Sequence, residues 1–518
     1  MMSEPGSDWI KGLLRPLAYP HPVASVQILE THASWVILTG DFAYKIKKPV
    51  DFGFLDYSTL ERRLVCCREE LRLNARYAPE LYLAVLPIAG PPTDPRIGGN
   101  GEPMEYAVQM RQFPESSLFD RMAREGRLLP GHMDSLAARL ADFHAHAGHA
   151  GMEDGYGLPE SVQGHALDNF ATIRNVMRDN EALQVLSGLE SWTLRKFGAQ
   201  RILMFRRKAE GFVRECHGDL HLANLVLWNG QPTPFDGIEF NPDLRWIDVM
   251  SELAFLVMDL EVAGSGRLAL RLLNRYLEIT GDYTGLALFD YYRVYRALVR
   301  AKVVSLTAMP GGDGFDARVC RERFRGYLHH AARVIQPREP ALLICHGVSG
   351  SGKSHLALRL AEELSALRIR ADVERKRLSA SGGLDTEGLY SQTMNLRTYR
   401  NLLETAHAVL ESGFTVILDA TFLNRERRLE ARNLAREHGA KFLILDCRAP
   451  EEISRQRLRL RVQDGTDPSD ADEAVLNRQL DSCLPLERDE AACAIRVDTG
   501  SQDYWSVLLE AVMASLDG

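Results

Sequence analysis

A chain of 518 residues, 45% hydrophobic and 25% charged, is long enough for roughly two to four separately cored domains and has the balance of an ordinary soluble globular protein. Its formal net charge of −8 excludes a protein that coats nucleic acid or anionic membrane with its whole surface. The eight cysteines are scattered, with Cys66-Cys67 the one close pair, so they form neither a metal-ligand pattern nor a disulfide framework and point to reduced thiols in a cytoplasm. Met1 to Asp8 lacks the basic start and apolar run of a signal peptide, and the most apolar segment, Leu253 to Val262, is cut by Asp259 and Glu261; a soluble, cytoplasmic chain with no membrane partner is expected.

Val26 to Leu38 and Asp41 to Lys47 read as β-rich runs, the first broken around Thr31-His-Ala-Ser34. Alternation in Phe42-Ala-Tyr-Lys45-Ile-Lys47-Lys48 sets Lys45 and Lys47 on one strand face and Lys48 on the other. Leu60 to Arg76 repeats its apolar residues at helical spacing and carries Glu69 and Glu70. Tyr106 to Phe113 reads as a strand ending at Pro114, and Gly131 to Ala147 as an amphipathic helix. His144, His146 and His149 lie close in sequence, but 144 and 146 point apart on a helix and no Cys or carboxylate completes a ligand spacing, so structural histidines are expected.

The stretch Cys216-His-Gly-Asp-Leu-His-Leu-Ala-Asn224, followed by Pro234-Phe-Asp236-Gly-Ile-Glu-Phe240, carries an acid, an amide and a second acid on short strand-and-turn runs. Phosphoryl transfer from Mg-ATP asks for those groups: one to orient a hydroxyl, and oxygen ligands to hold magnesium against the phosphates. Asp219, Asn224 and Asp236 have the right chemistry. Asp248 and Glu252 follow on an apolar run, and Tyr283 to Leu306 reads as a long helix bearing Tyr292, Arg293, Tyr295, Arg296, Arg300 and Lys302, either facing an acceptor cleft or solvated.

Gln336-Pro-Arg-Glu-Pro340 reads as a linker, after which Ala341 to His346 forms a buried-type strand. Gly347-Val-Ser349-Gly350-Ser351-Gly352-Lys353-Ser354 then opens a helix: a full Walker A sequence in its strand-loop-helix context. Its glycines let backbone N–H groups wrap phosphates at a helix N-terminus, Lys353 reaches the β and γ phosphates, and Ser354 binds magnesium. The run Arg368-Ile-Arg-Ala-Asp372-Val-Glu-Arg375-Lys-Arg ends a second strand, and Thr415 to Asp419 and Ala440 to Asp446 read as a third and a fourth in βαβ units, with Asp419 placed as a Walker-B-type acid. Arg455-Gln-Arg457-Leu-Arg-Leu-Arg461 is dense in arginine.

His217-Gly-Asp219 with Asn224 and Asp236 resembles the catalytic loop of the aminoglycoside phosphotransferase and choline kinase relatives of protein kinases. By that resemblance Asp219 is the catalytic base, Asn224 and Asp236 are magnesium ligands, and His217 and Asp248 support the catalytic loop, Asp248 through backbone hydrogen bonds. Lys45, with Lys47 as the alternative, would reach the ATP phosphates and pair with Glu70, or next Glu69. The segment Met110 to Gln112 would contact adenine. No Gly-x-Gly-x-x-Gly precedes the lysine, which separates the chain from protein kinases more than from this family.

The second half is similar to the gluconate kinase, shikimate kinase, zeta toxin and polynucleotide kinase branch of P-loop kinases, on Walker A, Asp372-Val-Glu-Arg375, Asp419-Ala-Thr421 and the arginine run. The resemblance implies that Asp372 orients or deprotonates an acceptor hydroxyl, that Arg375 holds the acceptor, and that Arg457 and Arg461 belong to a closing lid. Taken whole, the chain looks like bifunctional aminoglycoside phosphotransferase/ATP-binding proteins.

The expected architecture is therefore an α+β, two-lobed kinase-like domain over residues 1–335 (N-lobe about 20–113, C-lobe about 114–335) followed by an α/β P-loop domain with a parallel sheet over 336–518. The expected activity uses ATP and Mg2+ at two sites and phosphorylates hydroxyl groups of small molecules. Two alternatives stand beside it: the P-loop half as a nucleotide-driven switch on the first domain, or as a kinase of polynucleotide 5′-hydroxyls. The residues select neither acceptor, and nothing in them selects an aminoglycoside.

Overall fold

The computed structural model describes residues 8–53, 55–307, 317–380, 389, 391–464, 469, 471–501 and 503–517; the opening residues read for a leader lie mostly outside this set. In chain order the first part contains β1 (Gln27–Glu30), β2 (Ser34–Leu38), β3 (Phe42–Lys47), α1 (Leu60–Asn74), β4 (Tyr82–Ala89), β5 (Arg96–Ile97) and β6 (Pro103–Arg111). It continues with α2 (Phe119–Arg124), α3 (Pro130–His146), α4 (Pro159–Val176), α5 (Asn180–Ala209), β7 (Val213–Glu215), β8 (Leu225–Trp228), β9 (Gln231–Pro234), β10 (Trp246–Asp248) and α6 (Val249–Val262). Three helices follow, α7 (Gly266–Thr280), α8 (Leu286–Thr307) and α9 (Ala317–Val334).

The chain separates into two compact units: 1–265 with 291–331, and 266–290 with 332–518. The single cut expected between 335 and 336 does not describe this, because α7 belongs with the later residues. Asn274 on α7 donates to Ala366 O at 3.0 Å and accepts from Arg368 N at 2.8 Å, and Arg271 meets Glu362 at 2.9 Å. Nothing in the composition of α7 marks which core it joins.

In the first unit the sheet runs β1-β2-β3-β6-β4-β5, every neighbour antiparallel. β4 was not foreseen; Pro87 near its end disguised it. Strand alternation explains the lysines: Tyr44 and Ile46 enter a core with Trp35, Ile37 and Ala107 on one sheet face, which leaves Lys45 and Lys47 for the face covered by α1. Thr59 caps α1 by accepting from Arg62 N. Behind this layer, residues 249–260 of α6 are all buried; a helix apolar on every side ends in the middle of a core.

Two small antiparallel ribbons carry the loop residues. β7 pairs with β10, and β8 pairs with β9 from Leu225 opposite Pro234 to Trp228 opposite Gln231. The link between the latter two is Asn229-Gly230, at φ 48° and 74°, as a two-residue hairpin turn requires. This hairpin returns the chain so that Asn224 O accepts from Phe235 N at 3.0 Å, which sets Asn224 next to Asp236.

The second unit is built on β11 (Ala341–His346), β12 (Leu367–Arg370), β13 (Val416–Asp419), β14 (Lys441–Arg448) and β15 (Ala494–Asp498), a parallel sheet in the order β12-β13-β11-β14-β15. The helices α10 (Lys353–Leu364), α11 (Ala371–Ala380), α12 (Gln392–Glu411), α13 (Arg425–Glu437), α14 (Glu451–Asp464) and α15 (Glu473–Ser482) alternate with it. Every residue of β11 is buried, as a central parallel strand covered on both faces demands. Among the described residues, no helix is long and apolar enough to cross a membrane.

Candidate active sites

In the first unit, Lys45 Nζ lies 2.9 Å from Glu70 Oε1 and contacts Asp236, 191 positions further along the chain. Lys47 is placed differently. Its ammonium is fully buried against Glu70 Oε2 at 2.7 Å, Glu239 and the Tyr57 hydroxyl at 3.2 Å, so it works inside the wall while Lys45 keeps partial exposure toward the site. Burial opposes charge on Glu70, but attraction from both lysines outweighs it and holds the carboxyl well below its ordinary range. Glu69, the alternative, instead pairs with Arg72 and Arg245 and does not meet either lysine. Met110 pairs with Ala43 and Tyr82 on β6.

Asp236 adopts φ 63°, a conformation an L side chain enters at some expense. Its flanks over-determine it: Asp236 N donates to the Tyr82 hydroxyl, Gly237 N to Asn74 Oδ1, and Ile238 N to His217 O. The Asp236 carboxylate is thereby aimed outward, 41% exposed. Opposite, Asn224 Nδ2 donates to Asp219 O at 3.0 Å and to Asp219 Oδ2 at 3.2 Å, leaving the Asn224 amide oxygen available as a ligand. Burial opposes charge on Asp219, yet His221, Arg300 and His217 together keep its carboxyl below the usual aspartate range. His217 Nε2 donates to Phe235 O at 2.8 Å while Nδ1 accepts from Asp219 N, which fixes one neutral tautomer; burial favours that neutral form.

Asp248 does not hold the catalytic loop as expected. Arg207 takes both its oxygens at 2.7 and 2.9 Å, and Oδ1 also caps α6 by accepting from Met250 N. The loop amides are held further along the same helix: Gly218 N donates to Glu252 Oε2 at 2.8 Å and Leu222 N to Asp259 Oδ2 at 2.9 Å. The resemblance points to Asp248 as the acid on the following helix, whereas helix geometry brings Glu252, four residues later, over Gly218. Gly218 itself sits at φ 86°, and a Cβ there would stand 2.7 Å from Leu244 O.

His144 Nε2 meets Glu252 Oε1 at 3.2 Å, His146 is exposed beside Asp142, and His149 bridges Arg214. Cys216 Sγ joins His144 and Glu252 within 4.8 Å, and each of the three has a protein partner. α8 backs the loop: Arg296 donates to Gly218 O at 2.9 Å and to Ser251 Oγ at 3.1 Å. The helix expected over Tyr283 to Leu306 begins with a 3-10 turn at Tyr283–Gly285, and its Tyr292 and Tyr295 are buried.

In the second unit, Gly347, Gly350 and Gly352 take φ 139°, 80° and 85°. Added Cβ atoms at Gly347 and Gly350 would stand 2.4 Å from Cys447 O and 2.5 Å from Ser454 O, so only glycine fits. Lys353 Nζ donates to Val348 O at 2.6 Å and to Ser351 Oγ at 3.5 Å, curled into the loop it would leave to meet phosphate; burial pushes its ammonium below the ordinary lysine value. Ser354 Oγ donates to Asp419 Oδ1 at 3.1 Å, and Asp419 Oδ2 has no hydrogen-bond partner among the described residues. That oxygen lies 3.9 Å from Arg368 and 3.8 Å from Arg370 without a hydrogen bond to either, and a serine hydroxyl beside a buried carboxylate is a fitting donor set for magnesium.

Asp372 falls in the first turn of α11, where Arg375 Nη1 donates to its Oδ1 at 2.5 Å and Arg375 Nη2 to Asn395 Oδ1 at 3.3 Å. Arg457 grips the P-loop from outside, donating to Gly350 O, Thr499 Oγ1 and Thr499 O. Lys353, Ser354, Asp372, Asp419, Arg457 and Arg461 line one cavity of about 1040 Å³, which Arg427 and Arg478 also line. Gln479, unremarked in the sequence, accepts from Ser349 N at 2.7 Å and so occupies an amide that the loop would offer to phosphate.

Residues 342–486 match the model of the AAA domain family. A gluconokinase of Sinorhizobium meliloti is 21% identical, with 35% of this chain and 91% of that chain covered and a TM-score of 0.25. A choline kinase of Cryptosporidium parvum is 11% identical, with 60% and 90% covered and a TM-score of 0.37. Fold and sites together define a chain in which a unit with a choline-kinase-like fold is followed by a P-loop unit with a parallel sheet. Along nearly its whole length it is similar to an uncharacterized protein of Mycobacterium tuberculosis, 31% identical over 486 residues covering 90% of this chain and 95% of that protein. An uncharacterized protein of Mycobacterium bovis matches to the same extent, and the chain belongs to the family these proteins form.

Proposed function

We propose that the chain is an ATP-dependent phosphotransferase with two sites, each passing the γ-phosphoryl group of Mg-ATP to the hydroxyl of a small-molecule acceptor. The observation that carries this reading is the convergence, across the first unit, of Lys45, Glu70 and Asp236 with the Asn224–Asp219 pair. Lys45 would take phosphate oxygens, Asn224 and Asp236 would hold magnesium, and Asp219 would accept the acceptor's proton. In the second unit Lys353 and the loop amides would bind phosphates, Ser354 and Asp419 would hold magnesium, and Asp372 would face the acceptor. Magnesium supplies charge neutralisation for the phosphates, and the side chains supply position and a proton acceptor.

The test incubates the full chain with γ-labelled ATP and a metabolite extract. Asp219→Asn should remove one set of labelled products and Lys353→Ala another; all turnover surviving either change would defeat the two-site reading. The arginines of the second cavity also favour a phosphate-rich acceptor such as a polynucleotide end. For that reading, binding should fall steeply between low and moderate salt.

A further inference from the structure

The groups around Asp219 fall in an order. Lys45 and Asp236 meet on the nucleotide side, Asn224 joins Asp219, His221 Nε2 lies 3.3 Å from Asp219 Oδ2, and Arg300 Nη1 lies 3.0 Å from His221 Nε2. Arg300 therefore reaches Asp219 through His221, whereas Lys45 meets Asp236 and Glu70 and, among the described residues, makes no ion pair with Asp219. Among the described residues the other hydrogen bond of Arg300 is to the Tyr327 hydroxyl at 3.4 Å. No carboxylate lies within ion-pair distance of Arg300 among the described residues, nor of Arg296 four positions earlier on the same face of α8.

The neighbouring acids are committed elsewhere. Asp259 accepts from Leu222 N and from the Tyr327 hydroxyl, Glu261 is paired with Arg293, and Asp168 with Lys302. This largely enclosed guanidinium hydrogen-bonds a phenol and an imidazole, and Asp219 and Asp259 favour its charge only from beyond ion-pair distance, so no carboxylate takes its N–H groups directly. Guanidinium is also the group that suits planar or tetrahedral oxyanions.

The geometry points to Arg300 as the specificity-determining residue of the first site, holding an acceptor that carries a carboxylate or phosphate group beside the hydroxyl to be phosphorylated. This rests on the kinase reading above and names its substrate class: a hydroxylated anion rather than an amino alcohol. In the reaction the acceptor oxygen bonds to the γ-phosphorus and the bond from that phosphorus to the β–γ bridging oxygen breaks. ADP leaves with that oxygen, and the acceptor's hydroxyl proton passes to the Asp219 carboxylate.

The experiment uses the full chain carrying Lys353→Ala, which removes the main phosphate ligand of the other site from every sample, loaded with magnesium and a non-hydrolysable ATP analogue. Sulfate and acetate serve as probes, one tetrahedral and one planar, and binding is read by thermal shift. Saturable stabilisation by at least one probe, lost in Arg300→Gln and partly kept in Arg300→Lys, is expected, and the probe that acts tells phosphate from carboxylate. Equal responses of parent and Arg300→Gln to both probes would overturn the inference, as would an adventitious ion only, seen as stabilisation that does not saturate. The kinase reading is scored separately, by labelled phosphate transfer to glycerate, glycerol phosphate, choline and ethanolamine. Loss of transfer in Asp219→Asn with choline or ethanolamine as the labelled acceptor keeps the kinase and sinks the anion; transfer undiminished by Asp219→Asn sinks the kinase itself.

Discussion

Replacing Lys47 by methionine tests whether the lysine works inside the wall. The change preserves length and apolar stem but deletes a cation that is fully enclosed between Glu70 and Glu239. Glu70 keeps Lys45 at 2.9 Å, so Glu239 is the acid left without an ion pair among the described residues, retaining the Tyr57 hydroxyl. Breaking a buried pair from one side destabilises by roughly 3–5 kcal/mol, and with Lys45 still serving Glu70 the lower end, about 3 kcal/mol, applies. At roughly 2–4 °C per kcal/mol for a unit of this size, its melting transition should fall by about 6–12 °C. Scanning calorimetry with and without nucleotide separates this transition from that of the P-loop unit.

The sign of the pH dependence sharpens the test. In the parent, the Glu70 carboxyl is held down to about 2 from an ordinary 4.5, burial opposing and the two lysines prevailing. A depressed carboxyl stabilises the fold fully above its unfolded value and loses that contribution as pH falls through the folded one, here from about 4.5 toward 2. In Lys47→Met an enclosed acid without its cation gains affinity for protons, so the deficit relative to parent should shrink as pH drops from 8 to 5. Lys47→Met/Glu239→Gln should recover most of the loss. A single variant melting within 1 °C of parent at pH 8 would refute the reasoning.

Asp219→Asn should lower kcat for transfer at the first site by about 10²–10⁴-fold while nucleotide binding, read by calorimetry, stays within a few-fold. Gly350→Ala forces a Cβ to 2.5 Å from Ser454 O at φ 80°, and nucleotide affinity of the second unit should fall at least tenfold in a fluorescent-analogue titration, with the first site unaffected. Asp248→Asn strips one charge from a buried bidentate pair with Arg207, so unfolding should occur about 3 kcal/mol sooner. Because that pair lies away from Asp219, the folded variant should keep its kcat, which steady-state kinetics below the melting range would show.

How much was readable in advance differs by site for a physical reason. The P-loop is a local object: glycines, lysine and serine lie in one run, and every contact that makes it work is within the loop or one strand away, as at Ser354 and Asp419. The first site is assembled from β3, α1 and the β8–β9 hairpin; the Lys45–Glu70 pair was legible through the resemblance, but the contact of Lys45 with Asp236 and the enclosure of Lys47 were not. Period-2 alternation put Lys45 and Lys47 on one face, yet it took Tyr57 and Glu239, 182 positions apart, to make Lys47 internal. The resemblance carries the loop-holding role to Asp248, but which acid lies over Gly218 is set by the rotation of a buried helix, and that acid is Glu252. In the sequence Arg300 is one of four basic residues on a helix, and only the catalytic loop packed against it gives that charge a direction.

The tight Asn229-Gly230 turn has a bearing on how such chains vary. Lengthening its ribbon by one rung adds a residue to each arm, and the amide and the acid at its two feet stay side by side. A single inserted residue would rotate one arm by half a pleat and turn a ligand away. Relatives of this chain should accordingly differ in the distance between these two positions by even numbers, and a search that fixes that interval would overlook sound members.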